Sequence, residues 1–595
     1  MFVGCVALAT SCDLTENVQV KADKSMIFGS KSGLELYSNS FYKALPTLKN
    51  GFMQDKMCDV GAVSNTDTFI KQGAYNTETA TSWSWGALKN INYFIDGCND
   101  PKYCTVDDNT RDNYLGIARW FRAWFYYYKL TTYGEVPWFP HDIQSYQNDV
   151  MYKDRDSRDV IIRNLIADLD FAYEHIQATS STGSSTLTRW AAAALKSRVC
   201  LFEAAYRRYH NLTGLEITPE ELYREAAKAA KLVIDNSGCS LNTAAGKKGA
   251  YRDLFYSETP LTQEVILAVC ANEKSGIFGE QNWWFNARSY GLCWSLVRSF
   301  VHTYLKQDGT PFTAAADYAV KSFAEEMEGR DLRLEQTVRG RNFLWDGKTA
   351  VADIKNLSLT GYQVIKYTLD ESKYDGGAKN INSIPLIRYA EVLLNYAEAQ
   401  AELGVITDSE WALTVGALRK RAGITGGTET LPTTVDSYLQ STFYPDVTSP
   451  VLLEIRRERA IELVAEGMRF DDLRRWKCGS LMETLPWSGI HIPGLEQPVD
   501  VNGDGVDDYY FTEGEVTAAP AAYRNIAIRV NQDGVGLYAE ANAVAGYDLV
   551  YKTGAGDRYW YPDGRQYLYP IPAKVIRDYR NAGYTISQNP EWDNE

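Results

Sequence analysis

Apolar residues recur along this chain mostly at helical spacing. Across Ile384–Leu403, Leu386, Ala390, Leu393, Leu394, Ala397 and Ala401 advance by 4, 3, 1, 3 and 4 positions, which predicts one apolar stripe of a packed helix. Asp112–Tyr133 reads as a long aromatic helix closed by Gly134 and Pro137, both stop signals. Leu187–Tyr209 carries Ala191 to Ala194, Ala204 and Ala205, and Pro219–Asp235 repeats the theme with Ala226, Ala227, Ala229 and Ala230. Small residues inside such stripes let neighbouring helices approach closely. The pattern predicts a mostly α fold, a tetratricopeptide-like scaffold of helix pairs, although no strict 34-residue period is present.

Residues 240–380 and 480–570 break this pattern. They are rich in Gly, Asn, Asp, Thr and aromatics, and read as long ordered loops with a few short strands such as Glu264–Val269 and Gln363–Tyr367. Loops this long inside a compact protein usually carry function. The expected organisation is a single globule over 13–595, with loop-rich excursions on a helical scaffold.

The first twelve residues stand apart. Met1–Cys12 is apolar, then small, then Cys, similar to the end of a bacterial lipoprotein signal in which the Cys becomes the lipidated residue. The run is short and has no Lys or Arg before it, so the reading also places the true start upstream. The competing reading is a buried N-terminal strand. Nothing later supplies the roughly 18 apolar residues of a spanning helix, so membrane attachment is expected through lipid on Cys12.

Charge and composition narrow the function. The 595 residues hold 61 Lys+Arg against 76 Asp+Glu, a formal net charge of −15. That argues against nucleic acid, which needs a concentrated basic surface. There are 40 Tyr, 15 Trp and 21 Phe. Tyr and Trp pair a flat apolar face with a polar tip, which suits a half-wet binding surface as well as a helical core. Ten cysteines form no C-x-x-C, and five histidines form no H-E-x-x-H, so zinc and thiol redox motifs lack support. Cys98 and Cys104, separated by the five residues Asn99–Tyr103, are the one pair close enough to suggest a local disulfide.

Several segments together resemble the SusD/RagB family of outer-membrane nutrient-binding lipoproteins. The most specific is Leu453–Trp476, L-E-I-R-R-E-R-A-I-E-L-V-A-E-G-M-R-F-D-D-L-R-R-W. Arg388–Ala399, Arg419–Gly423, Tyr569–Pro572 with Gln588-Asn589-Pro590, and Ala118–Pro137 agree with it, in family order. The resemblance implies a non-catalytic protein that binds oligosaccharides, or peptides in the RagB branch. It also implies delivery to a SusC-like TonB-dependent barrel at the cell surface.

Glu454, Glu458, Glu462 and Glu466 recur every fourth residue and are read as one helix face. Unpaired, each neighbouring pair would cost about 0.2–0.5 kcal/mol. They must be offset by Arg456, Arg457, Arg459, Arg469, Arg474, Arg475 or arginines of neighbouring helices. A glycosidase pair is the sharper alternative, but it needs a cleft. No G-x-S-x-G, P-loop or dinucleotide fingerprint occurs.

A sugar site needs aromatic planes flanked by polar groups. Two clusters qualify. One is Asp67–Trp85, with Asp67, Tyr75, Asn76, Trp83 and Trp85, where Trp85 also opens a W-x-x-L-x-x-I-N helix and has a core role available. The other, placed slightly ahead, is Gln281–Trp294, with Asn282, Trp283, Trp284, Asn286, Arg288, Tyr290 and Trp294. A third feature is Asp500–Asp508. Oxygen donors at Asp500, Asn502 and Asp504 with Gly505 in sixth place resemble the first half of an EF-hand loop. Phe511 stands where the bidentate Glu belongs, so the Val506 carbonyl and Asp508 would complete a shortened loop. Calcium there would stiffen it; a metal-free Asp/Gly turn is the other reading.

Overall fold

The computed structural model describes residues 24–49, 55–286 and 293–593. Cys12, Arg288 and Tyr290 lie outside them. The described chain is mostly helical, and one hydrophobic cluster runs from Phe28 to Trp592, taking in helices and loop-rich segments alike.

The aromatic helix spans Asp108–Tyr133, starting a turn earlier than its apolar pattern. Asp107 caps it by accepting the Thr110 N–H at 2.9 Å, and it stops where Gly134 takes φ 74°. Beyond that stop the chain folds back: Tyr126 donates to the Pro137 carbonyl and accepts from the Phe139 N–H. The Ala-rich helices Arg189–Tyr209 and Pro219–Asn236 pack together as predicted, their alanines buried. Thr218 and Glu221 form a capping box around Pro219, a strong start signal.

Three local expectations need correcting. Ile384–Leu403 is not one helix. Ile384–Arg388 is a strand paired antiparallel with Val265–Val269, and the helix begins at Tyr389. Pro385 lacks an N–H and disfavours helical geometry at Ile384, while burial of both elements keeps the apolar stripe unbroken. Gln363–Tyr367 is no strand; Gln363 and Val364 make isolated bridges to Ser295 and Val338. Cys98 and Cys104 are unbonded, as are all the cysteines among the described residues.

The paired strands Val265–Val269 and Ile384–Arg388 bracket the first loop-rich excursion. The second is built on Ser488–Ile492, Tyr547–Tyr551 and Leu537–Ala541, paired antiparallel in that order.

The glutamate ladder also departs from a single helix. The helix ends at Glu462, and a second runs over Arg469–Arg475. Between them Ala465 and Gly467 take φ 63° and 80°, which reverses the chain. Glu466 nevertheless returns to the same charge cluster. Arg419 holds Glu454 and Glu458; Arg333 bridges Glu458 and Glu462; Arg388 bridges Glu462 and Glu466. Arg421 and Lys366 close the chain of pairs at Glu462 and Glu466. Among the described residues, Arg457 is the one local arginine that joins the ladder, at Glu454. The others serve different partners, such as Asp472 for Arg459 and Asp59 for Arg469.

Candidate functional site

A cleft of about 1170 Å³ lies between two helices, Gly86–Asn99 and Ala573–Asn581. Trp83 and Trp85 form one wall with Phe139; Tyr152 and Tyr579 form another. Trp85 immediately precedes the Gly86–Asn99 helix, so the W-x-x-L-x-x-I-N pattern turns Leu88 and Ile91 into the core while the indole lines the cleft. Trp83 and Trp85 meet edge to face at 5.3 Å, and Trp85 meets Phe139 the same way at 5.2 Å.

The polar groups of the cleft are held in place. Asn92, buried, donates to the carbonyls of Phe139 (2.8 Å) and His141 (3.1 Å) and fixes the segment that forms the wall. Lys89 donates to the Ile143 carbonyl at 3.0 Å. On the opposite side Tyr152 stacks on Tyr584, and the Ala573 N–H donates to Thr77, tying the helix to the Trp83 segment. Glu78, Arg577, Lys574 and Asp578 complete the rim as two ion pairs. Aromatic planes beside exchangeable charged and amide groups are what an amphipathic, hydroxyl-rich ligand requires.

Behind this wall lies Lys129. Its Nζ sits 5.2–5.6 Å from the ring centres of Trp83, Trp85, Phe125 and Tyr133 and donates to the Ser82 carbonyl at 3.3 Å. Burial pushes its ammonium down to about 8.

The remaining predicted residues of the first cluster serve local structure. Asp67 caps a short 3₁₀ turn through the Phe69 N–H and pairs with Lys56 at 2.6 Å. Asn76 accepts the N–H groups of Glu78 and Thr79. Tyr75 packs against Phe69, Tyr569 and Trp592. The structure therefore brings Trp83 and Trp85 together at the cleft, without Asp67 or Asn76 beside them.

The second cluster lies elsewhere. Asn282 is fully buried: it donates to Leu369 and Asp375 and accepts from Leu369 and Asn380. Asn286 donates to Asp375 and accepts from Gln363. Burial pushes the Asp375 carboxyl up, against the pull of these amides. Trp294 is buried, its ring against Gly61, while Trp283 and Trp284 are half-buried and tilted against each other at 5.1 Å.

The Asp500–Asp508 loop turns its oxygens inward. Asp500 accepts the N–H groups of Gly503 and Gly505, Asn502 that of Asp504, Asp504 that of Val506, and Asp508 that of Val501. Burial first, then Asp504 and Asp500, push the Asp508 carboxyl up. The donors suit calcium in kind and spacing. As placed they do not converge, and among the described residues no group of three or more His, Cys, Asp and Glu is arranged to hold a metal.

The residues that pattern reasoning missed are Phe139, Tyr152 and the Ala573–Asn581 helix. The signal for the last was present, since Tyr569–Pro572 ends at a proline that starts a short amphipathic helix.

Comparisons with known proteins agree with this architecture. A family model described as the SusD family matches residues 263–592. Among curated proteins no sequence match is found. A SusD-like protein from Bacteroides fragilis NCTC 9343 superposes with a TM-score of 0.65 at 20% identity, covering 96% of this chain and 98% of its own. A SusD-like carbohydrate binding protein from the same strain gives 0.66 at 18% identity, covering 93% and 99%. A SusD homolog from Bacteroides thetaiotaomicron VPI-5482 gives 0.62 at 16% identity, covering 96% and 98%. At these identities the likeness establishes the fold. Among the described residues no helix is long and apolar enough to cross a membrane.

Proposed function

The chain belongs to the SusD family, and on that premise we propose that it captures an oligosaccharide or polysaccharide at the cell surface, without chemistry, for a SusC-like TonB-dependent barrel. The observation that carries this reading is the cleft walled by Trp83, Trp85 and Phe139 and rimmed by exchangeable ion pairs. Flat ring faces take the C–H faces of sugars, and the charged rim takes hydroxyls. The Gln281–Trp294 segment is a weaker second surface, because Asn282 and Trp294 face inward. Anchoring through lipid on Cys12 and location at the outer membrane complete the reading. Calcium in the Asp500–Asp508 loop belongs to it as a weak structural ion held by Asp500, Asn502, Asp504, the Val506 carbonyl and Asp508.

A non-catalytic role is supported by the carboxylates of the family motif, which sit in buried ion pairs away from the cleft. Glu462 is held well below the usual carboxylate range by Arg421, Arg388 and Arg333 against the cost of burial, which suits neither a general acid nor an accessible nucleophile.

Calorimetric titration with glycan and peptide panels, with product analysis of the same samples, tests the proposal. An oligosaccharide that binds intact, and loses affinity on Trp85→Ala, supports it. Shortened glycan makes the protein an enzyme. Binding confined to peptides moves it to the RagB branch.

A further inference from the structure

The Ala573–Asn581 helix is a ridge between two depressions. Val575, Asp578 and Tyr579 face the cleft, whereas Ala573, Ile576 and Arg580 face a second depression of about 640 Å³. Spacings of three and four residues place each set on its own flank. Arg577 borders both, so it stands on the crest.

The two sides differ in chemistry. The cleft is aromatic. The second depression offers Thr77, Ser587 and Gln588, with Arg577 and Arg580 less than a turn apart and a single carboxylate, Asp593, which the two guanidinium groups outnumber. Arg577 pairs with Glu78 at 2.6 Å, but both side chains are more than half exposed, at 52% and 64%. A pair this wet holds little energy and exchanges readily for a ligand carboxylate. Arg580 is exposed and, among the described residues, has no ion-pair partner. A planar guanidinium suits bidentate binding of a carboxylate or sulfate. The net charge of −15 would repel an anion at long range, yet screening beyond about 8 Å leaves the local arginines in control.

Resting on the glycan-capture reading, we propose that the site is bipartite. A glycan stacks its first sugars in the cleft, crosses the ridge at Arg577, and lays an anionic sugar against Arg577 and Arg580. The preferred cargo is then an acidic polysaccharide, longer than the cleft alone would hold.

The test is a glycan array carrying neutral, uronate-containing and sulfated glycans in short and long forms, probed with the full chain and with Arg580→Ala and Trp85→Ala. Long acidic glycans retained by the unmodified chain, weakened about tenfold by Arg580→Ala, with short or neutral ones unchanged, support the bipartite site. The uronate and sulfate spots separate the two anions. Signal lost on Trp85→Ala but untouched by Arg580→Ala overturns the second subsite and leaves the capture reading standing. No glycan signal from the unmodified chain overturns both.

Discussion

The ammonium of Lys129 lies 5.2 Å from the ring centre of Trp85, a tryptophan that also lines the cleft. Trp83, Phe125 and Tyr133 complete an aromatic cage, and the Ser82 carbonyl accepts from the ammonium. The cation thus sits directly beneath the wall that the proposed ligand would touch.

This cage costs stability at neutral pH. Burial lowers the Lys129 ammonium to about 8 from its ordinary value near 10.5. At pH 7 the folded state carries a charge it disfavours, by up to about 3 kcal/mol before the ring faces return part of it. Above pH 8 the folded form sheds its proton before the unfolded form does, so stability rises until about pH 10.5. Lys129→Met keeps the stem and removes the charge. It is expected to be about 1–3 kcal/mol more stable than the parent at pH 7, with the gap closing by pH 10. Urea unfolding at both pH values measures this, and a gap that ignores pH would refute the cage as its origin.

The glutamate ladder makes the opposite prediction. Glu462 is shared by Arg333, Arg388 and Arg421, all buried. Glu462→Gln leaves those arginines short of a counter-charge and is expected to cost about 3–5 kcal/mol. Because the carboxyl is depressed in the fold, its contribution is present above the ordinary carboxylate value and lost only as pH falls well below it. Thermal unfolding at pH 7 should show the loss in full.

Much of the scaffold was legible because its helices carry strong local signals. The Thr218–Glu221 capping box, Pro219 and the alanine stripes agree with one another, and the structure follows them. Ile384–Leu403 misled because a buried strand and a buried helix are both apolar, and periodicity cannot separate them. The candidate site was half legible. Trp83 and Trp85 stand two residues apart in sequence, but Phe139, Tyr152 and Arg577 reach the same cleft from distant segments. Asn282 read as a ligand group from its neighbours, whereas its four hydrogen bonds hold the loop from within.

The turn between the two motif helices carries a titratable clamp. Asp55, buried, accepts the N–H groups of Gly467 (2.9 Å) and Arg469 (3.2 Å), and burial still pushes its carboxyl up to about 7. The folded state therefore binds this proton more tightly than the unfolded state between about pH 4 and 7, and stability falls as pH rises through that window. Asp55→Asn removes the titration while keeping one acceptor. The parent should lose stability between pH 5 and 8 more steeply than the variant. Parallel slopes in urea unfolding would show that Asp55 does not titrate there.

Calcium offers the last test, on the Asp500–Asp508 loop. To coordinate an ion, Asp500 must release the Gly503 and Gly505 N–H groups, and Asp504 that of Val506. That rearrangement opposes binding, while relief of the like charges that help raise Asp508 favours it. The expected affinity is that of the weak class of extracellular modules, with Kd on the order of 10⁻⁴–10⁻³ M. At tenfold excess over Kd the gain is about 1.4 kcal/mol, enough for a rise in melting temperature. Magnesium, which demands tighter octahedral geometry, should give less. Asp504→Asn should abolish the calcium effect without lowering the calcium-free melting temperature much, because the amide oxygen still accepts from Val506. A melting temperature indifferent to millimolar calcium would mean that the backbone N–H groups hold the loop unaided.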